Sequence, residues 1–588
     1  MSNDTSTGFS RRDVLKLGAL AGATASLAPL ATSPLAAMAA TPPTDFNEMT
    51  ITQLKGLMAS GQARSTDLVN FYLRRIQALD QGGPMVNSVI EINPDALAIA
   101  QQLDDARQAG HVSGPLHGVP VLLKDNIDTH DRMQSAAGSL GLVGPAGSAP
   151  AKDATVAANL RTAGAVILGK TTLSEWANFR SFYSTSGWSG RGGQCNNPYA
   201  IDRNPCGSSS GSGAAPSANF TAVSIGTETD GSIVCPANHN AVVGIKPTVG
   251  LVSRAGIVPI SHTQDTAGPH ARSVADAAAV LTAIVQRTAD PRDSATSGNR
   301  NRIPKDYTQF LDSNGLHGAR IGVAREFEGF SPKLDAVFEE ALSAMTSAGA
   351  ALVDVTFPHF GEIFTGTAEF TVLLFDFKID LRKYLATRNG VPLAGGTLAD
   401  AIAFNDAHAS QELQFFGQEI FELAQAFSSD PAAVQPLGMS YNDAIAADRL
   451  FGATQGIDLI LSPSGNSLHQ PLDAIVAPTD NPAWPTDLIN GDHFVIGSSS
   501  PAAIVGYPII NVPMGFTFGA PVGISFMGTA FSEPTLIKLA SGFESVTHAR
   551  QQPKFLATLP FNTKGMPTPS RVHRRRNIPA GRVAPVHI

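Results

Sequence analysis

The chain has 588 residues, 43% of them hydrophobic, and a formal net charge of −8. The charge is mild and mixed, with no basic stripe in the body, which argues against a nucleic-acid partner. The 55 glycines and 40 prolines are scattered, as in a loop-rich enzyme and unlike a low-complexity protein, and no linker divides residues 45–555 into separate domains.

In chain order, the first feature is Ser10-Arg11-Arg12-Asp13-Val14-Leu15-Lys16, a twin-arginine pattern. A weakly apolar stretch follows, interrupted by Pro29 and Pro34, and ends in Ala37-Met38-Ala39-Ala40. Charged start, apolar middle and small-residue end make residues 1–40 a signal peptide. The stretch is too short and too weakly apolar to span a membrane. The expected partner is the twin-arginine export machinery, the expected location the periplasm or the medium, and no membrane anchor is expected.

Residues 65–81 read as a helix capped by Ser65 or Thr66, with Leu68, Tyr72, Leu73, Ile76 and Leu79 as its apolar stripe. Residues 94–109 read as a second helix, with Pro94 near its start. Residues 119–123 are a short apolar run ending at Lys124, and 165–168 and 223–225 are two more. An Ala-rich helix is expected over 213–219 and another helix over 273–285. Further strands are expected at 321–323, 352–355, 459–461, 509–512 and 522–526. Helices alternating with short buried strands predict an α/β fold around a large mixed sheet. Residues 370–447 are helical in pattern and suit a cap over a site. Residues 561–588 form a basic, Pro-rich tail expected to be disordered.

Of the three cysteines, Cys195, Cys206 and Cys235, at least one is left unpaired. Cys195 and Cys206 flank one loop and are candidates for a bridge; the alternative is three small residues buried in a tight region. No motif has metal-ligand spacing, so neither metal nor cofactor is expected.

Two motifs mimic known chemistry. Gly164 to Thr171 has Walker A spacing, but its middle is Ala165-Val166-Ile167-Leu168, a strand and not a phosphate cradle. Gly207-Ser208-Ser209-Ser210-Gly211 matches a nucleophile elbow centred on Ser209, but Asn204-Pro205-Cys206 precedes it where a buried strand is required. A third reading joins Lys124, Ser208 and Ser232. Serine is a weak nucleophile until a base takes its proton, and lysine is that base only when neutral. Burial at the end of Val121-Leu122-Leu123 favours the neutral amine, whereas a surface Lys124 would pair with Asp125. Ser232 follows Asp230-Gly231, where a tight turn aims successive backbone N–H groups inward as an oxyanion hole.

Three stretches together resemble the amidase signature family of serine hydrolases: Gly114-Pro115-Leu116-His117-Gly118-Val119-Pro120 to Lys124-Asp125, Gly207 to Gly211, and Gly226 to Ser232 running on to Gly244-Ile245-Lys246-Pro247-Thr248. Gln264-Asp265-Thr266-Ala267-Gly268 and Gly506-Tyr507-Pro508 fit as well. The resemblance implies an α/β/α layered fold with a large central mixed sheet. It implies a Ser–cisSer–Lys triad in which Ser232 is acylated and Ser208, in a cis peptide, bridges it to Lys124. It also implies an oxyanion hole from the N–H groups of Thr229, Asp230, Gly231 and Ser232. The run Glu228-Thr229-Asp230-Gly231-Ser232-Ile233-Val234 departs from the common pattern, with Asp230 in place of glycine and Val234 in place of arginine. That variant, with Arg191-Gly192-Gly193-Gln194, Phe404-Asn405 and Phe416-Gly417-Gln418-Glu419, resembles bacterial peptide amidases, which convert C-terminal peptide amides to acid and ammonia. The alternatives are an aryl-acylamide or fatty-amide hydrolase, the transamidosome component of the same family, against which export argues, and a non-catalytic binding protein, against which the intact Lys124, Ser208 and Ser232 argue.

Overall fold

The apolar runs become strands: β1 (Val89–Ile92), β2 (Pro120–Lys124), β3 (Val166–Thr171), β4 (Trp188–Ser189), β5 (Gly193–Gln194), β6 (Val223–Glu228), β7 (Val243–Lys246), β8 (Thr266–Ala271), β9 (Arg320–Ala324), β10 (Ala351–Val355), β11 (Ala474–Pro478), β12 (Ile509–Thr517) and β13 (Ala520–Met527). The computed structural model describes residues 45–298, 300 and 303–560. The signal peptide expected over 1–40 and the tail 561–588 lie outside them. Strands β4 and β5 pair on their own, and the other eleven form one sheet in the order β1-β3-β2-β6-β8-β7-β12-β13-β11-β9-β10. The sheet is mixed: β2 runs parallel to β3 and β6, β9 to β10 and β11, and the central pairs from β6 to β11 are antiparallel.

All residues of β2 and β6 are buried, and the apolar run of β2 before Lys124 follows from its place: a strand parallel to both neighbours and covered on both faces has no solvent side to alternate with. Register pairs Leu123 with Ile225, so Lys124 and Thr227 come to the same edge of the sheet. Val121, Leu123, Val166 and Ile225 pack in one core with Leu68, Tyr72, Leu160 and Leu281 from covering helices. The segment expected to form a cap is helical: Ala368–Leu385, Leu398–Ala407, Glu419–Ala426 and Tyr441–Asp448. Leu373, Phe377, Leu381, Ile420 and Phe421 share a second core with Trp176 and Phe179, which fixes these helices to the loops beside the sheet edge.

Several expectations need correction. Residues 459–461 are not a strand but lie in helix Asp458–Leu461, which follows the π-helical run Arg449–Ile457 across a kink at Gly456. The helix starting at Ser65 is capped at Arg64: Asp67 accepts from the Arg64 N–H, and the Ser65 and Thr66 N–H groups donate to Asp104. The second helix is Ala96–Gln108, and Pro94 lies before it. The disulfide joins Cys206 to Cys235, and Cys195 is a buried free thiol. The reason is topological: Cys206 precedes Ser208 and Cys235 follows Ser232, so the contact between those serines carries both cysteines together.

Candidate active site

Lys124, Ser208 and Ser232 meet at the sheet edge. The β2–β6 pairing delivers Lys124, and a segment leading into helix Ser210–Ser217 delivers Ser208. Ser232 follows β6 after a turn in which Gly231 has φ +79°, a left-handed value that favours glycine. The Gly207–Ser208 peptide is cis. Lys124 Nζ lies 2.8 Å from Ser208 Oγ, and Ser208 Oγ lies 2.9 Å from Ser232 Oγ. The Ser208 N–H donates to Ser232 Oγ at 3.0 Å. All three side chains are buried.

The surface reading of Lys124 is excluded. Asp125 pairs instead with Arg191, which also bridges to Glu91. Lys124 is fully buried and bonds to Thr227 through Oγ1 at 2.8 Å and the carbonyl oxygen at 3.3 Å, and Asn126 Nδ2 steadies Thr227 Oγ1 at 3.0 Å. Desolvation brings the Lys124 amine down to about 7, although the carboxyls of Asp265 and Glu228 oppose the shift. His270, also buried, is engaged with the Ile233 carbonyl at 2.9 Å, and burial holds its pKa down to about 3, so it stays neutral.

The turn from Glu228 to Ser232 is braced from several sides. Glu228 Oε2 accepts from the N–H groups of Ile233 and Val234 at 2.6 and 3.0 Å, fixing the chain just past Ser232. Thr229 Oγ1 donates to Asp265 Oδ1 at 2.7 Å, and Asp265 Oδ2 accepts from the N–H groups of Ile260 and Ser261. Asp230 Oδ2 accepts from Ser500 Oγ at 2.6 Å. The two mimics are set aside by geometry: Ser209 donates to the Thr227 carbonyl at 2.9 Å, and residues 166–171 are buried strand β3.

Sequence reasoning does not single out Thr227, Asn126, Glu369 or Ser500. Nothing in their spacing marks them, because each acts through a contact made across the sheet edge or from the helical cap. Nor does spacing reveal His262, Asp376 and Asp380, whose ligand-type atoms the fold gathers within 4.8 Å. They form an ion-paired cluster, with His262 Nδ1 2.7 Å from Asp380 Oδ2 and Lys383 Nζ 2.9 Å from Asp380 Oδ1. A cavity of about 580 Å³ opens beside that cluster and reaches Asp265, but Lys124, Ser208 and Ser232 do not line it.

Comparison with known proteins gives consistent results. Residues 67–537 match the family model for amidase. A probable amidase of Arabidopsis thaliana is 42% identical over 523 residues, covering 87% of this chain and 92% of that protein. The crystal structure of an amidase family protein from Bacillus anthracis superposes with a TM-score of 0.75 at 32% identity, covering 86% of this chain and 92% of that one. The crystal structure of native peptide amidase from Stenotrophomonas maltophilia superposes with a TM-score of 0.78 at 49% identity, covering 87% of this chain and 100% of that one.

Proposed function

The chain belongs to the amidase family and is an amidase hydrolase, and on that premise we propose that it removes the C-terminal amide from peptides through an acyl-enzyme on Ser232. The observation that carries this reading is the buried line from Lys124 Nζ through Ser208 Oγ to Ser232 Oγ, with contacts of 2.8 and 2.9 Å. Ser232 Oγ attacks the carboxamide carbon. Its proton passes to Ser208 Oγ while the Ser208 proton passes to neutral Lys124. The N–H groups of Thr229, Asp230, Gly231 and Ser232 receive the developing oxyanion. The C–N bond then breaks, and the nitrogen takes a proton back along the same line and leaves as ammonia. Water, deprotonated by the same relay, attacks the ester; the acid departs and Ser232 regains its proton. Each proton is accounted for by these three side chains.

The peptide-amide substrate is supported by 49% identity to the Stenotrophomonas maltophilia peptide amidase and by the Asp230 variant of the turn. The expected outcome with an amidated peptide is a gain of about one mass unit, amide to acid, with internal peptide bonds untouched. Backbone fragmentation, or no change alongside rapid anilide cleavage, counts against it in mass spectrometry. The reading includes export by the twin-arginine route to the periplasm or medium. A disulfide between Cys206 and Cys235 suits an oxidising compartment, and no helix among the described residues is long and apolar enough to cross a membrane.

A further inference from the structure

The wall beside the Glu228–Ser232 turn is acidic in an unusual way. Asp230 stands two residues from Ser232, and its Oδ2 is held by Ser500, with Ser499 also in reach. Its Oδ1 is buried and meets no N–H or hydroxyl donor. The group that faces it is another carboxyl, that of Glu369 in the first turn of helix Ala368–Leu385. Glu369 Oε1 accepts from Gln264 Nε2 at 2.8 Å. Two facing carboxyls share one proton, because neither can donate to the other when both are ionised. Burial, then repulsion by Asp230, pushes Glu369 well above the ordinary carboxylate range; burial raises Asp230 too, but hydrogen bonds from Ser499, Ser500 and Glu369 and the charge of Lys246 oppose it, so Glu369 is the better holder of the shared proton. Glu228, Asp448 and Asp480 also face the pair, and the buried amine of Lys246 is the facing cation. Glu369 is only half-buried, and its neighbour Phe370 packs against the exposed ring of Phe182.

We propose that the Asp230–Glu369 carboxyl pair is a charge filter, which admits the neutral carboxamide end of a substrate and rejects the carboxylate end of the product. The proposal rests on Ser232 being the acylated serine. Hydrolysis turns a neutral group into an anion at the same carbon, so free acids would otherwise compete with substrate and leave slowly. Two residues of chain span at most about 7 Å, so the single negative charge of the pair lies close to that carbon. At such a separation and an effective dielectric of about 20, one unit charge discriminates by tenfold or more. A glycine at position 230 would leave Glu369 without its partner and the filter without its inner charge.

The test is calorimetric binding of a peptide acid and of the matching peptide alcohol, a neutral analogue, to the full enzyme. Wild type is expected to bind the alcohol about tenfold more tightly than the acid. Glu369→Gln leaves the Asp230 charge in place, so it should keep that ratio within about threefold. The Asp230→Asn/Glu369→Gln double variant removes the charge and should tighten acid binding about tenfold with the alcohol unmoved. Glu369→Lys, a single change at a half-buried position, also brings the pair to zero net charge and should do the same if the double variant does not fold. A wild-type ratio near one, no change in the neutralised variants, or acid and alcohol shifting together would overturn the filter. Failure of the substrate reading shows separately, as no mass gain on peptide amides; the comparison is then made with the acid and alcohol of whichever carboxamide is turned over.

Discussion

Lys124 closes a strand whose every residue is buried, so its charged form lacks the hydration it has in water. With burial bringing it to about 7, the amine is half neutral near neutral pH. The neutral form is the one that accepts a proton, so kcat/KM should rise through pH 7 and fall about tenfold per unit below it. A pH–rate profile flat from pH 5 to 8 would exclude Lys124 as the base. Ser232→Ala and Lys124→Ala are expected to lose about 10⁴-fold or more in kcat. Ser208→Ala should lose less, about 10²- to 10³-fold, because water can stand in for a hydroxyl that only relays a proton. Ser209→Ala, whose hydroxyl braces the Thr227 backbone through its carbonyl and its N–H and touches none of the three triad side chains, should retain most turnover; loss there with a normal Ser232→Ala would reverse the assignment. At this scale the sequence is informative where residue type and local run coincide: a lysine after three apolar residues, a serine after Asp-Gly. It is silent on Thr227 and Asn126, ordinary residue types whose importance comes only from facing Lys124.

Among the elements, the fully buried strands and the amphipathic helices are legible, because one period dominates each of them. The run Leu459-Ile460-Leu461 misleads because three apolar residues carry no period, and the helical chain before them decides their state. The cysteines mislead for a related reason: proximity in sequence suggests Cys195 with Cys206, but the element contact that matters joins the Ser208 segment to helix Val234–His239. The Cys206–Cys235 bridge closes a separation of 29 residues and ties together the two segments that carry Ser208 and Ser232. Closing a loop of that length contributes about 2–4 kcal/mol, chiefly by restricting the unfolded chain. Reductant should therefore lower the urea midpoint of the wild type. Cys206→Ser should abolish that sensitivity, and Cys195→Ala should preserve it. If Cys195→Ala removed it instead, the pairing would be wrong.

On the scale of the whole molecule, the site is assembled by sheet order. Lys124 and Thr227 lie 103 residues apart and meet because β2 and β6 are neighbours, and Glu369 arrives from a helix of the cap. No local pattern encodes that order, so the mixed sheet can be expected from the sequence but its strand neighbours cannot. The same dependence bears on export. A site built from segments far apart in the chain forms only once those segments are all present. The twin-arginine route, which Ser10-Arg11-Arg12-Asp13 matches, suits such a cargo because it carries proteins already folded. Replacing both Arg11 and Arg12 by lysine keeps the charge but removes the recognised pair. The expected result is precursor retained in the cytoplasm, with no mature chain starting near Ala40 or Thr41 outside it. Fractionation with N-terminal sequencing reads both points. Unchanged export of the double variant would refute the route, and an uncut N-terminus on exported wild-type protein would refute cleavage even if the route held.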